Sequence, residues 1–228
     1  LERRRRDVVA LRALLFDVDG TLLDTRDAWI AAFDEGLASV CSHAMPGREG
    51  ARWIGTPIEA IYADRCGLSG DDLRRAVAEF QRSEAASLRD GVRPFAGIAD
   101  MLSSLRGWSL ATVTNKRTDT TREALRLAGL SEAFEVVLGG DAVRRKKPAP
   151  DPVLQAAEAL RVPVAACAIV GDTENDVRAG REAGAMTIGV TWGYGSRARL
   201  EDAGVAFLVE TPAALPPLAR ALTPSTGT

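Results

Sequence analysis

Five short apolar runs, Ala13 to Phe16, Leu110 to Val113, Val136 to Leu138, Ala166 to Val170 and Thr187 to Val190, recur along the chain between turn signals. Their shortness and lack of polar alternation predict strands buried on both faces. Between most of them lie helix-length stretches with apolar residues three and four apart: Thr118 to Ala128, Pro152 to Leu160, and Asn175 to Ala183, the last closed by Gly184. This alternation predicts an α/β fold in which helices cover both faces of a parallel sheet, and such sheets bind ligands beyond the carboxyl ends of their strands. Polar residues directly after a strand are therefore where chemistry is to be sought.

The first two runs lie much further apart than the dozen or so residues a simple crossover needs. The intervening stretch has helical periodicity at Ala28 to Val40, Pro57 to Tyr62 and Asp71 to Leu88, and no convincing strand. It reads as a small helical cap over residues 25–93, inserted into a discontinuous core of residues 1–24 and 94–228. The exit, Asp90 to Gly97, holds two glycines and a proline before the next helix, a composition suited to a hinge. The tail beyond Thr211 is rich in Pro and Ala.

A chain of 228 residues can bury a substantial core without disulfide staples. The three cysteines, Cys41, Cys66 and Cys167, have no CxxC spacing, which disfavours a disulfide framework or a zinc site, and Cys167 reads as buried packing. With 29 basic and 31 acidic residues, the net charge of −2 gives no basic excess for nucleic acid. Arg3 to Arg6 reads as a solvated tail. No apolar stretch approaches the ~20 residues of a membrane span, so a cytoplasmic protein without membrane or nucleic-acid partners is expected.

Asp17 and Asp19 follow the first apolar run and stand two apart, so both side chains can point to one side of the strand end. Mg²⁺, with its preference for oxygen ligands, would relieve their repulsion and keep both ionised. Gly20 permits a tight turn that can bring backbone N–H groups, including that of Thr21, toward an anion. The run Ile169 to Asp176 repeats this logic, and Asp172 and Asp176 would share a helix face if the helix had begun by then. Taken singly, each cluster also reads as turn and N-cap chemistry. Between them stand Thr114 and Asn115 at another strand end, offering a hydroxyl and amides to an oxyanion, and Lys147, offering a fixed positive charge.

In this order the four segments DVDGT, TN, KP and GDTEND resemble the motifs of the haloacid dehalogenase superfamily, over nearly the whole chain. The resemblance implies a Rossmann-like parallel-sheet core, motifs gathered at the carboxyl edge, and a helical cap inserted after the first motif. It implies that Asp17 is the nucleophile and that Asp19 protonates the leaving oxygen and then activates water. It further implies that Thr114 holds the phosphoryl group and that Lys147, preferred to Lys146 because it stands before Pro148, neutralises charge. Mg²⁺ would be held by Asp17, the backbone carbonyl of Asp19 and Asp172, with Asp176 supporting it through water. The carboxylate at Asp19 disfavours halide displacement, since superfamily members with that chemistry lack it.

The runs Thr114 to Lys116, Gly139 to Asp141, Lys147 to Pro152 and Gly189 to Gly195 resemble phosphoglycolate phosphatases, and Arg48 to Gly55 resembles the family's substrate-specificity loop. Arg52 could clamp a second anionic group there, or be a solvated charge. Arg48 reads as solvated, and His43, Trp53, Trp108 and Trp192 read as structural. The expected ligand is a small phosphorylated metabolite, with phosphoglycolate first, and the expected state is a monomer or homodimer. Pyrophosphatase, sugar-phosphate phosphatase and β-phosphoglucomutase activities are the enzymatic rivals. A non-catalytic binding or regulatory protein on the same scaffold is the rival of another class.

Overall fold

The computed structural model describes residues 10–41, 50–88 and 92–223. Arg3 to Arg6, His43, Arg48 and the Asp90–Gly91 pair lie outside the described residues. The described residues form eight strands: β1 (Ala13–Phe16), β2 (Leu23–Asp24), β3 (Arg93–Pro94), β4 (Ser109–Val113), β5 (Val136–Leu138), β6 (Cys167–Gly171), β7 (Met186–Val190) and β8 (Phe207–Val209). Six form one parallel sheet in the order β5-β4-β1-β6-β7-β8. The five expected strands are all there, with ends shifted by at most one residue. The sixth, β8, has no counterpart in the sequence reading: it is a three-residue edge strand of which only Val209 is buried.

Alternation along the central strands separates two cores, as the period of two requires. Leu14 and Phe16 of β1, with Ala168 and Val170 of β6, join a cluster on one face, while Ala13, Leu15, Cys167 and Ile169 join a second on the other. The first face is covered by α4 (Ile98–Ser104), α5 (Thr118–Leu127) and α9 (Leu215–Ala221), the second by α6 (Asp151–Ala159) and α7 (Glu174–Ala183). A further helix, α8 (Arg197–Asp202), buries Leu200 against Val177 of α7. Both faces of β1 are therefore dry, and the polar groups that follow it can only emerge at its carboxyl end.

Between β2 and β3 lie α1 (Arg26–Ala38), a 3₁₀ turn (Ala51–Trp53), α2 (Ile58–Cys66) and α3 (Gly70–Ser87). These helices bury their own cluster, including Trp29, Phe33, Ile61, Tyr62, Ala76 and Phe80. Trp29 stacks on Phe33 at 5.5 Å and meets Phe80 edge-on at 5.6 Å, while the Tyr62 hydroxyl donates to the Phe33 carbonyl at 2.8 Å. Gly36 permits the close packing: a Cβ there would lie 2.2 Å from the Tyr62 hydroxyl. The insert joins the core through an antiparallel ribbon pairing Leu23 with Pro94 and Asp24 with Arg93. Two-residue strands leave no periodicity to read, which is why none was expected at either boundary.

Candidate active site

The connection leaving β1 covers one face of the sheet, and that leaving β6 covers the other, so the crevice between these neighbours is the topological switch point. The register pairs Phe16 with Thr112 on one side and Val170 on the other. Asp17, Thr114 and Asp172 consequently reach the same edge from three adjacent strands.

Asp17 is fully buried, and its two oxygens differ. Oδ1 lies 2.8 Å from Lys147 Nζ, whereas Oδ2 is buried without a hydrogen-bond partner. Lys147 Nζ also donates to Asp176 Oδ1 at 2.6 Å and to the Val113 carbonyl at 2.7 Å. An ammonium has three protons, and all three are engaged here, so Lys147 orients Asp17 as well as neutralising it. Burial opposes the ammonium's charge, but Asp17 and Asp176 outweigh it and hold Lys147 above the ordinary lysine range. Burial pushes the Asp17 carboxyl up to about 8; Lys147 pulls it down, while Asp176 and Asp172 push it further up.

Carboxylate oxygens of Asp17, Asp172 and Asp176 lie within 4.8 Å of one another. Three carboxylates, one of them with an orphaned oxygen, make a hard, anionic donor set, which fits a divalent cation that prefers oxygen and not one that seeks nitrogen or sulfur. Burial and the Asp176 charge raise Asp172 to about 6, against the N–H groups of Tyr194 and Gly195 and the Thr21 hydroxyl, which favour its ionised form. These bonds are 2.8, 3.1 and 3.1 Å long and fix both Asp172 oxygens. Gly20 (φ +84°) comes so close that a Cβ would lie 2.4 Å from Asp172 Oδ2.

Asp172 and Asp176 come together by a different route from a shared helix face. Helix α7 starts at Glu174, beyond Asp172, and a capping box folds Asp176 back so that its Oδ2 accepts from the Thr173 N–H and hydroxyl. Asp176 is thus a capping residue and a member of the acidic cluster at once.

The backbone donors of Gly20 and Thr21 are engaged within the turn, with the carbonyls of Leu23 at 3.0 Å and Val18 at 3.3 Å, while the Thr21 hydroxyl donates to Asp172. Asn115 is likewise engaged. Its amide donates to the carbonyls of Gly55 and Lys147, and its oxygen accepts from the Lys147 N–H, all at 2.9 Å, tying the insert to the lysine loop. Arg52 is exposed, with its guanidinium 5.2 Å from the Trp53 ring centre. It lines a small pocket with Thr173, Asn175 and Arg199 and is not among the residues lining the cleft over Asp17.

That cleft lies between the strand ends and the helical insert, lined by Asp17, Asp19, Glu84, Thr114, Lys116 and Lys146 among others. Asp19 Oδ1 accepts from the Thr25 hydroxyl at 2.7 Å, and Oδ2 lies 3.2 Å from Lys116 Nζ. Lys116 also donates to Glu84, which α3 carries down from the insert. Neither Lys116 nor Glu84 stands out from the sequence as a site residue, although signals exist. Lys116 stands two after Thr114, as Asp19 stands two after Asp17, and Glu84 falls on the buried stripe of α3 with Ala76, Phe80 and Ser83. Tyr194 is a third: its hydroxyl donates to Asp24 at 2.8 Å and accepts from the Thr25 N–H at 2.6 Å, bracing the ribbon from the loop that holds Asp172.

The sequence pattern described as haloacid dehalogenase-like hydrolase matches residues 14–190, from β1 through β7. The chain belongs to this family. Among haloacid dehalogenase-like relatives, the phosphoglycolate phosphatase of Nitrosospira multiformis is 35% identical, over 81% of this chain and 85% of its own. The pyrophosphatase PpaX of Bacillus velezensis is 31% identical, over 79% and 83%. The crystal structure of CbbY from Rhodobacter sphaeroides in complex with xylulose-(1,5)bisphosphate superposes with a TM-score of 0.76 at 27% identity, covering 90% of this chain and 96% of that one. As a member of this family the chain is a hydrolase. Among the described residues, no helix is long and apolar enough to cross a membrane.

Proposed function

We propose that the chain hydrolyses small phosphate monoesters, phosphoglycolate first among them, through an aspartyl-phosphate on Asp17. The observation that carries this reading is the asymmetry of Asp17: one oxygen is clamped by Lys147 and the other is buried and unpaired at the switch-point crevice. The three relatives and structures compared above point the same way, since phosphoglycolate, pyrophosphate and xylulose bisphosphate each pair a transferable phosphoryl group with a second anionic group.

In the first step an Asp17 oxygen attacks phosphorus, the bond from phosphorus to the leaving oxygen breaks, and Asp19 delivers a proton to that oxygen. In the second, Asp19 takes a proton from water, the water oxygen attacks phosphorus, and the bond to Asp17 breaks to release phosphate. The Thr114 hydroxyl donates to a phosphoryl oxygen, and Lys147 keeps Asp17 oriented and offsets the negative charge around it. Asp17, Asp172 and the Asp19 backbone carbonyl would hold Mg²⁺, with Asp176 behind them. The ion supplies charge neutralisation for the phosphoryl oxygens when bound. Residues 25–93 act as a cap over the cleft. The cleft beneath has a volume of about 40 Å³, room for a few waters, and is lined from both the strand ends and the insert.

Phosphate release under Mg²⁺ from phosphoglycolate, pyrophosphate, sugar phosphates and nucleotides, compared as kcat/KM, tests the activity. Phosphoglycolate is expected to lead, and no release from any of the four would overturn the reading. The metal has its own readout. Saturation at 100 times Kd should stabilise the fold by about 2.7 kcal/mol, visible as a rise in Tm. That rise should vanish in Asp172→Asn; an unchanged wild-type Tm across millimolar Mg²⁺ would remove the ion from this site.

A further inference from the structure

The mechanism above uses neither Lys116 nor Glu84, although both are buried in the cleft. The Lys116 side chain is 2% exposed and that of Glu84 7%. A lysine so deeply buried needs partners, and it has two: Asp19, to which the proposed mechanism gives the leaving-group proton, and Glu84, from the opposite wall. Other cations border the cleft, but Lys146 pairs with Glu59 at 2.8 Å and is a quarter exposed, and Arg117 pairs with Asp119 and is 41% exposed. Lys116 alone among these basic groups combines full burial with contact to Asp19.

Resting on the phosphatase reading, we infer that Lys116 recognises a second acidic group on the substrate's leaving group, a carboxylate or another phosphoryl, and that Glu84 holds its place when no substrate is bound. The geometry sets the reach. Lys116 Nζ is one hydrogen-bond length from Asp19 Oδ2, and Asp19 must address the leaving oxygen, so the second acid has to sit within a few bonds of that oxygen. The two carbons of phosphoglycolate meet this condition.

Recognition is also tied to turnover. With no substrate bound, both Asp19 oxygens are engaged, one by Thr25 and one by Lys116. A substrate acid that displaces Glu84 draws Lys116 toward itself and frees an Asp19 oxygen for the leaving group. An ester lacking that acid leaves Asp19 held. Lys116 is thus a specificity-determining residue, and Glu84 a carboxylate of the cap that stands in for the substrate's own.

The experiment compares phosphoglycolate with ethyl phosphate, the same two-carbon ester without the carboxylate, using the whole chain with Mg²⁺. The wild type is expected to favour phosphoglycolate in kcat/KM by about 100-fold or more, as sites built around a polar group reject analogues lacking it. In Lys116→Met that ratio should fall to within about threefold of unity. A wild type with no preference, or a variant that loses both substrates equally and keeps the ratio, overturns the inference. Since Lys116→Met strands two buried carboxylates and can unfold the chain, Glu84→Gln is the second variant. It keeps the shape and removes the competing charge, so KM for phosphoglycolate should fall by about threefold or more relative to KM for ethyl phosphate. An unmoved KM ratio also overturns the inference. If the wild type hydrolyses neither ester, the phosphatase reading has failed, and calorimetry of the two esters with the Mg²⁺-loaded protein decides the rest. Tighter binding of phosphoglycolate that disappears in Lys116→Met supports the role of Lys116, and equal binding of the two esters refutes it.

Discussion

Asp17→Asn is expected to lower kcat by about 10⁴-fold or more while leaving the fold intact, the scale of loss when a covalent nucleophile is removed. The amide is isosteric, and its oxygen can still accept from Lys147, so the crevice keeps its shape. Stability should move the other way in metal-free protein. Burial, with the charges of Asp172 and Asp176, raises Asp17 to about 8 in the native state, against ~3.9 for a free side chain. The native state therefore binds more protons than the unfolded chain between these values, and the contribution of Asp17 to stability is lost as pH rises from about 4 through about 8. The Asn variant lacks this loss, so its Tm relative to wild type, with metal chelated, should increase from pH 5 to pH 8. Phosphate release at the wild-type rate from Asp17→Asn would end the covalent mechanism. A fall in its relative Tm over that range would show that burial and the neighbouring carboxylates do not raise Asp17 in the native state.

Lys147→Met carries the largest expected cost to the fold. The side chain is 1% exposed and holds Asp17, Asp176 and the Val113 carbonyl together. Removing one partner of a buried ion pair costs about 3–5 kcal/mol, because the remaining charge is stranded. For a chain of this size each kcal/mol lowers Tm by roughly 2–4 °C, so a drop of about 6–20 °C is expected. Activity should fall by about 10³-fold or more even below that Tm, since Asp17 loses both orientation and charge balance. Mg²⁺ should restore part of the stability, because it places positive charge among the same carboxylates. An unchanged Tm in Lys147→Met would mean that the lysine is not holding the acidic cluster together.

The parts of the molecule that were legible in the sequence are those whose signals are local. The buried strands declare themselves as apolar runs, and Asp17, Asp19, Thr114 and Asp172 declare themselves by following such runs. Parallel pairing then brings them together without further information. Where partners come from distant segments, spacing says little. Asn115 looks free to bind an anion until the Gly55 carbonyl of the insert is placed against it. Arg52 reads equally as a clamp or a solvated charge, and only the 3₁₀ turn shows that it lies exposed at another pocket. The Lys116–Glu84 pair joins core to insert, and no local pattern announces which glutamate a buried lysine will meet. Even Asp172 and Asp176, four apart, meet through a capping box and not through helical phase.

The ribbon formed by β2 and β3 makes the insert's entry and exit immediate neighbours. Seen from the sheet, everything between Asp24 and Arg93 is the loop of a hairpin two rungs long. Loop-closure entropy grows only slowly with length, about 0.6 kcal/mol per doubling, so this junction tolerates replacement of its contents. The insert is accordingly a cassette: its exchange would refurnish the roof of the cleft, Glu84 included, while Lys116 and the carboxylates below stay where the parallel sheet puts them.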